Sequence, residues 1–151
     1  MSSLRITKIE VHEFTFPMSD VGKDYNGFNL VYKKGGQQTG YGYAMKVHTN
    51  EKGVTGEYVG GDSPSFAEFN MFAKYLIGKD PLQRELIYND VKRAMRKYDK
   101  MGMGPIDIAL WDLAGKLYNA PIHELLGGWR TKLLCYASTM HGDRNGGLDS
   151  P

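Results

Sequence analysis

The side chains able to do chemistry are scattered along this 151-residue chain, and none of their spacings completes a catalytic or metal-binding pattern. The histidines stand alone at His12, His48, His123 and His141, without the close spacing of a zinc-binding helix. On a helix, Asp107 and Asp112 point roughly 140° apart, so the two carboxylates cannot grip one ion from one face. Gly102-Met103-Gly104 lacks the following glycine and the preceding strand of a dinucleotide loop, and no Gly-Lys-Ser/Thr phosphate loop occurs. Ser138 and His141 are neighbours in sequence only, which is weak support for a nucleophile with its base. The single cysteine, Cys135, excludes an intrachain disulfide and a CxxC site, and its place in a predicted strand suits a small buried hydrophobe. These residues therefore predict no catalytic group and no metal ligand within the chain.

Composition narrows the classes further. A hydrophobic share of 41% is enough for one domain with a core. Nineteen basic against seventeen acidic residues leave +2, too little to imply nucleic-acid binding. The basic run Lys92, Arg93, Arg96, Lys97 and Lys100 reads as a helix C-terminus, where cations complement the dipole. The opening MSSLRITKIE has no apolar core of a signal peptide, and no apolar run is long enough to span a bilayer. A soluble cytoplasmic protein with no membrane partner is the expectation.

Three strands and three helices would have to position any site. The first strand is predicted from Leu4 to Phe16, with Ile9 and Val11 on one face, Phe14 and Phe16 on the other, and a bend near His12-Glu13. From Tyr41 the alternation is clean, with Tyr43, Met45 and Val47 inward, and the turn Asn50-Glu51-Lys52-Gly53 leads to a hairpin partner beginning at Val54. Ser63 and Pro64 start a helix with Phe66, Phe69, Ala73 and Leu76 on its inner side. Asp80 and Gln83 form a predicted capping box for a second helix striped by Ile87, Val91, Ala94 and Tyr98. The third, from Gly104-Pro105 onward, repeats Ile106, Leu110, Leu113 and Leu117 at helical spacing, pairs Asp112 with Lys116, and stops at Asn119-Ala120-Pro121. The fold class is α+β, a small antiparallel three-stranded sheet packed on a helical layer.

Between Pro17 and Gln38 no period is sustained, and Gly22, Gly27, Gly35 and Gly36 interrupt the segment, so a long loop is predicted. Tyr25, Phe28, Leu30, Val31 and Tyr32 give it an apolar load unsuited to free solvent. A lid, static packing on the sheet, or a peptide-binding arm each accommodate that load.

The stretch from Gly102 to Gly128, GMGPIDIALWDLAGKLYNAPIHELLGG, resembles the signature of the mandelate racemase and muconate lactonizing enzyme family of the enolase superfamily. The order of TKIEVHEF, Gly53 to Gly60 and Leu133-Leu134-Cys135-Tyr136-Ala137-Ser138 agrees with that resemblance. It implies an enolase-like N-terminal capping domain over residues 1–130, then the first strand of a truncated (β/α) barrel in residues 131–151. The rest of that barrel is an expected missing partner. Asp149-Ser150-Pro151 reads as a helix start with no helix after it, so a fragment is expected.

By the same resemblance the parent enzyme abstracts the proton α to a carboxylate, using Mg²⁺ held by barrel residues with no counterpart here. It is expected to be a homo-oligomer acting on a small carboxylate or acid sugar, with the isolated chain inactive. Acid-sugar dehydration is preferred; racemisation, epimerisation or cycloisomerisation by the same chemistry, and a stand-alone α+β binding module, remain open. The substrate-contacting residues it implies are Tyr25, Asn26 and Phe28 on the long loop, Tyr58 in the segment 58–62, and Thr139 and His141 after the barrel strand.

Overall fold

A computed structural model of the chain describes residues 3–137. Strands β1 (Ile6–Lys23), β2 (Leu30–Thr49) and β3 (Thr55–Gly60) form one sheet in the order β1-β2-β3. Helices α1 (Ser63–Leu76), α2 (Arg84–Ala94), α3 (Met103–Tyr118) and the single turn α4 (Ile122–Leu125) follow. The chain divides into two compact units, residues 1–14 with 42–129 and residues 15–41 with 130–151.

In the first unit β2 and β3 run antiparallel, Tyr43 opposite Gly60 and His48 opposite Thr55. Their connection is the predicted turn, closed by the Val54 N–H on the Glu51 carbonyl and by the Thr49 hydroxyl on the Val54 carbonyl. Alternation sends Tyr43, Met45 and Val47 into the core, where they meet Phe66, Phe69 and Leu76 of α1 and Ile106, Leu110 and Leu113 of α3. Each such side chain taken out of water contributes about 1.5–3 kcal/mol before conformational entropy is subtracted. Tyr43 stacks on Phe66 at 4.4 Å, and Phe66, Phe69 and Phe72 continue edge to face. Phe14 lies over the bare Cα of Gly42, where a Cβ would come within 2.5 Å of its ring. β1 runs without interruption through His12-Glu13, where the apolar phase changes.

The helices begin and end close to the sequence signals. Asp62, one residue before the predicted cap, accepts the Ser65 N–H at 2.9 Å, which puts the proline in the first turn of α1. Asp80 accepts the Leu82 N–H at 2.9 Å but closes a separate turn, and α2 starts only after Gln83. The buried residues of α2 are Ile87 and Val91, with Met95 buried just past its end; Ala94 and Tyr98, expected on the same stripe, are exposed, Tyr98 lying beyond the helix. Helix α3 ends at Asn119 in the left-handed conformation, φ 49°, with its N–H on the Gly115 and Lys116 carbonyls. The excess apolar surface of α3 is partly covered from α2, where the Arg84 guanidinium lies 3.8 Å from the centre of the Trp111 ring.

The second unit corrects the loop expected between Pro17 and Gln38. Most of that segment is strand, since β1 runs on to Lys23 and β2 starts at Leu30. Val21 and Val31 are buried, and Asp20 takes φ 60° with its carboxylate on the Gly35 N–H at 2.7 Å. Backbone ladders hold such a hairpin without needing apolar alternation. Residues 133–137, expected as the start of a barrel strand, carry no assigned secondary structure and are exposed. A parallel strand draws its hydrogen bonds from neighbours on both edges.

Candidate functional site

The tip of the β1–β2 hairpin is shaped by one carboxylate. Asp24 accepts the Phe28 N–H at 2.8 Å and the Asn29 side-chain amide at 2.7 Å, while its own carbonyl accepts the Gly27 N–H at 2.9 Å. Gly27 supplies φ 77°, a conformation that disfavours a Cβ. The Asn29 amide and then the backbone donors hold the Asp24 carboxyl below its ordinary range. With the backbone so fixed, Tyr25, Asn26 and Phe28 point outward and exposed, Phe28 at 82% and Tyr25 at 73%. The structure thus gathers three of the sequence-predicted contact residues on one turn. Their groups can bind by a phenol, an amide and an aromatic face, and can exclude water.

Tyr58 sits at the end of β3 in the other unit and is half-buried against the core. Its phenol fits because Gly60 carries no side chain; a Cβ there would stand 2.9 Å from the Tyr58 hydroxyl. Asp62 follows as the cap of α1, its carboxyl lowered first by the Ser65 hydroxyl and then by the Ser65 N–H. The Ser63 hydroxyl, 2.8 Å from that of Tyr43, ties the same corner to the sheet. Segment 58–62 is therefore a built corner with one phenol at its edge. Thr139 and His141 lie outside the described residues.

A cluster that the sequence reading did not assemble joins β1 to β2. Glu10 pairs with Lys8, and its two oxygens lie 3.6 Å from His12 Nε2 and 3.5 Å from His48 Nε2. Lys8 is the main reason that the Glu10 carboxyl is lowered to about 2. Alternation along β1 hinted at Glu10 beside His12, but His48 joins them only through cross-strand register. His48 Nε2 is buried, and its contact with Glu10 is longer than an ordinary hydrogen bond.

The two aspartates of α3 face different neighbours. Asp107 is pushed above the carboxylate range by burial, partly offset by the Arg84 charge on α2. Asp112 faces β3, where it accepts the Glu57 N–H at 2.7 Å and pairs with Lys116 at 2.6 Å, as the spacing predicted. Lys116 and Lys46 also reach Glu57, at 3.2 and 2.8 Å. Among the described residues no group of three His, Cys, Asp or Glu side chains is arranged to hold a metal ion. No helix there is long and apolar enough to cross a membrane.

Comparison with known proteins agrees with the geometry. Residues 39–127 match the family model for the N-terminal domain of mandelate racemase / muconate lactonizing enzyme. The chain is similar to a D-galactarolactone cycloisomerase of Agrobacterium fabrum, 40% identical over 89 residues that cover 55% of this chain and 24% of that protein. It is also similar to a D-galactonate dehydratase family member of Musicola paradisiaca, 34% identical over 113 residues, 66% of this chain and 26% of the relative. Its fold superposes on D-glucarate dehydratase from Agrobacterium tumefaciens complexed with magnesium, TM-score 0.72 at 28% identity, covering 92% of this chain and 36% of that one. The chain spans about a quarter of the length of these curated relatives. It belongs to the mandelate racemase / muconate lactonizing enzyme family, whose N-terminal domain it carries.

Proposed function

We propose that this chain is the capping and substrate-specificity domain of a Mg²⁺-dependent enzyme that abstracts the proton α to a carboxylate, with dehydration of an acid sugar as its reaction. The observation that carries the reading is the match of residues 39–127 to the family's N-terminal domain; ahead of the matched residues, the hairpin tip presents Tyr25, Asn26 and Phe28 to solvent. The relatives named for acid-sugar dehydration, and the one solved with magnesium, support the substrate class and the ion. Residues 1–130 are assigned to the cap and residues from 131 onward to the start of a barrel.

The described residues do not fit Mg²⁺, so no step of the reaction is assigned to them. Their part is to bind and to exclude water. An α-proton of a carboxylate is removed at a useful rate only where the developing charge meets fixed donors in a dry site. A hairpin tip with two exposed aromatic side chains and a backbone set by Asp24 is suited to close such a site. Tyr58, Thr139 and His141 are proposed as further contacts with the polyhydroxy acid.

The cycloisomerase among the relatives supports a second reading, ring rearrangement of a sugar lactone by the same initial proton abstraction. The experiment uses the complete protein, supplied with Mg²⁺ and a panel of galactarate, glucarate, galactonate and their lactones. Loss of water to a 2-keto-3-deoxy acid supports the dehydratase, and isomerisation of a lactone without loss of water supports the second reading. Absence of turnover and of α-proton exchange across the panel overturns both. The 151-residue chain alone is expected to give no exchange above buffer.

A further inference from the structure

The basic run at the end of α2 is only partly explained by the helix dipole. Helix α2 stops at Ala94 with Lys92 and Arg93 in its last turn, so Arg96, Lys97 and Lys100 lie beyond it. Residues 89–100 hold five basic and two acidic side chains, a local +3 against +2 for the whole chain, so the remaining residues sum to −1. The net positive charge of the sequence is thus carried by this segment.

Most of that charge lines one shallow, open stretch of surface. Lys92, Arg93, Arg96 and Lys100 line one open groove of about 560 Å³ with Asn89 and Asp90. Asp90, the one acidic residue lining it, accepts the Tyr75 hydroxyl at 2.6 Å through Oδ2, and its Oδ1 lies 3.7 Å from Arg93 of the same groove. Lys92 lies 5.3 Å from the centre of the Tyr88 ring, and Lys100 donates to the Tyr98 carbonyl at 3.2 Å. Arg96 pairs with no carboxylate among the described residues. Four cations and one carboxylate thus line the groove, with Arg93 within ion-pair distance of that carboxylate.

We propose that this groove binds a small anion carrying two or more phosphoryl groups, such as a pyrophosphate or the phosphate tail of a nucleotide. Two guanidinium forks match paired phosphoryl oxygens, and two ammonium groups add point charge without demanding geometry. Nucleic acid would need a basic stripe longer than this one groove. None of the six lining residues belongs to the hairpin tip or to segment 58–62, so this site is separate from the proposed acid-sugar contacts.

The test is an amide-resolved NMR titration of the ¹⁵N-labelled chain with sodium pyrophosphate in about 150 mM salt, where long-range charge effects are largely screened. Saturable shifts confined to residues 89–100 are expected. Arg93→Gln with Arg96→Gln should weaken binding by about tenfold or more, whereas Lys97→Gln, off the groove wall, should change it less than about twofold. Arg93 is 81% exposed, so its replacement leaves the fold intact, which a circular dichroism melt checks. Equal losses in the Lys97 variant, equal binding of sulfate or galactarate at matched ionic strength, or tighter binding of a single-stranded oligonucleotide would each overturn the proposal.

Discussion

The backbone N–H of Glu57 on the edge strand β3 donates to the Asp112 carboxylate of α3 at 2.7 Å, so a helix side chain occupies a donor that would otherwise await another strand. The same carboxylate holds Lys116, which in turn reaches the Glu57 side chain. Replacing Asp112 by Ala should cost about 1–3 kcal/mol, because the Glu57 donor and the Lys116 charge both lose their acceptor. Asp112→Asn keeps an oxygen for the N–H and should cost less. Urea unfolding of both variants checks the order, and equal losses would place the effect in the ion pair alone.

Helix and strand approach most closely at Gly56. A Cβ there would stand 2.0 Å from the Ala109 carbonyl and 2.9 Å from Leu113 Cβ, so Gly56→Ala must push α3 off the sheet. Overpacking of this kind costs about 1–3 kcal/mol, more when backbone blocks relief. Chemical denaturation should show a lower midpoint with an unchanged slope. Gly104→Ala, with nothing within 4 Å of the added carbon, is the control and should be neutral or better.

Glu10 links charge to acid stability. Its carboxyl is lowered from 4.5 to about 2, chiefly by Lys8, so the folded state prefers the ionised form. Its contribution is complete above the unfolded value of 4.5 and is lost as pH falls through that value towards about 2. Glu10→Gln should therefore be less stable than the parent chain near neutrality and flatten the pH dependence between those limits. Thermal melts from pH 2 to pH 6 check the slope; parallel curves for both chains would remove Glu10 from the acid limb.

Phe28 tests the tip. At 82% exposure it should change stability by no more than about 0.5 kcal/mol on replacement by Ala. In the complete enzyme the same change should lower kcat/KM while leaving Mg²⁺ affinity nearly unaltered, because the described residues hold no metal cluster. Kinetics and a metal titration on one preparation separate the outcomes. A large loss of metal affinity with normal turnover would contradict the role proposed for the tip.

The parts of this fold that were legible from sequence are those with apolar periodicity. Ile106, Leu110 and Leu113 recur at helical spacing and are buried, and Tyr43, Met45 and Val47 alternate and are buried. The distal hairpin has no such signal. Its backbone is paired across the strands while most side chains stay exposed, and Asp20 and Gly35 break the alternation with positive φ. The capping signal at Asp80 was real but local, closing a turn ahead of α2. Of the candidate site, the residue types at the tip could be named, but the role of Asp24 depends on donors three to five residues away folding back onto it. Glu10 and His48 are 38 positions apart in the chain, and register alone brings them together.

At the hairpin tip, the residues that hold the backbone are distinct from those that face outward. Asp24, Gly27, Asn29 and the Phe28 backbone N–H make the turn, and the side chains of Tyr25, Asn26 and Phe28 take no part in the bonds that close it. Shape and display are therefore inherited separately. A lineage can rewrite three exposed side chains one at a time, each step nearly neutral for folding, and so explore new ligands on an unchanged frame. Loss of the single carboxylate at Asp24 has the opposite effect, leaving the displayed residues in place while removing the turn that aims them.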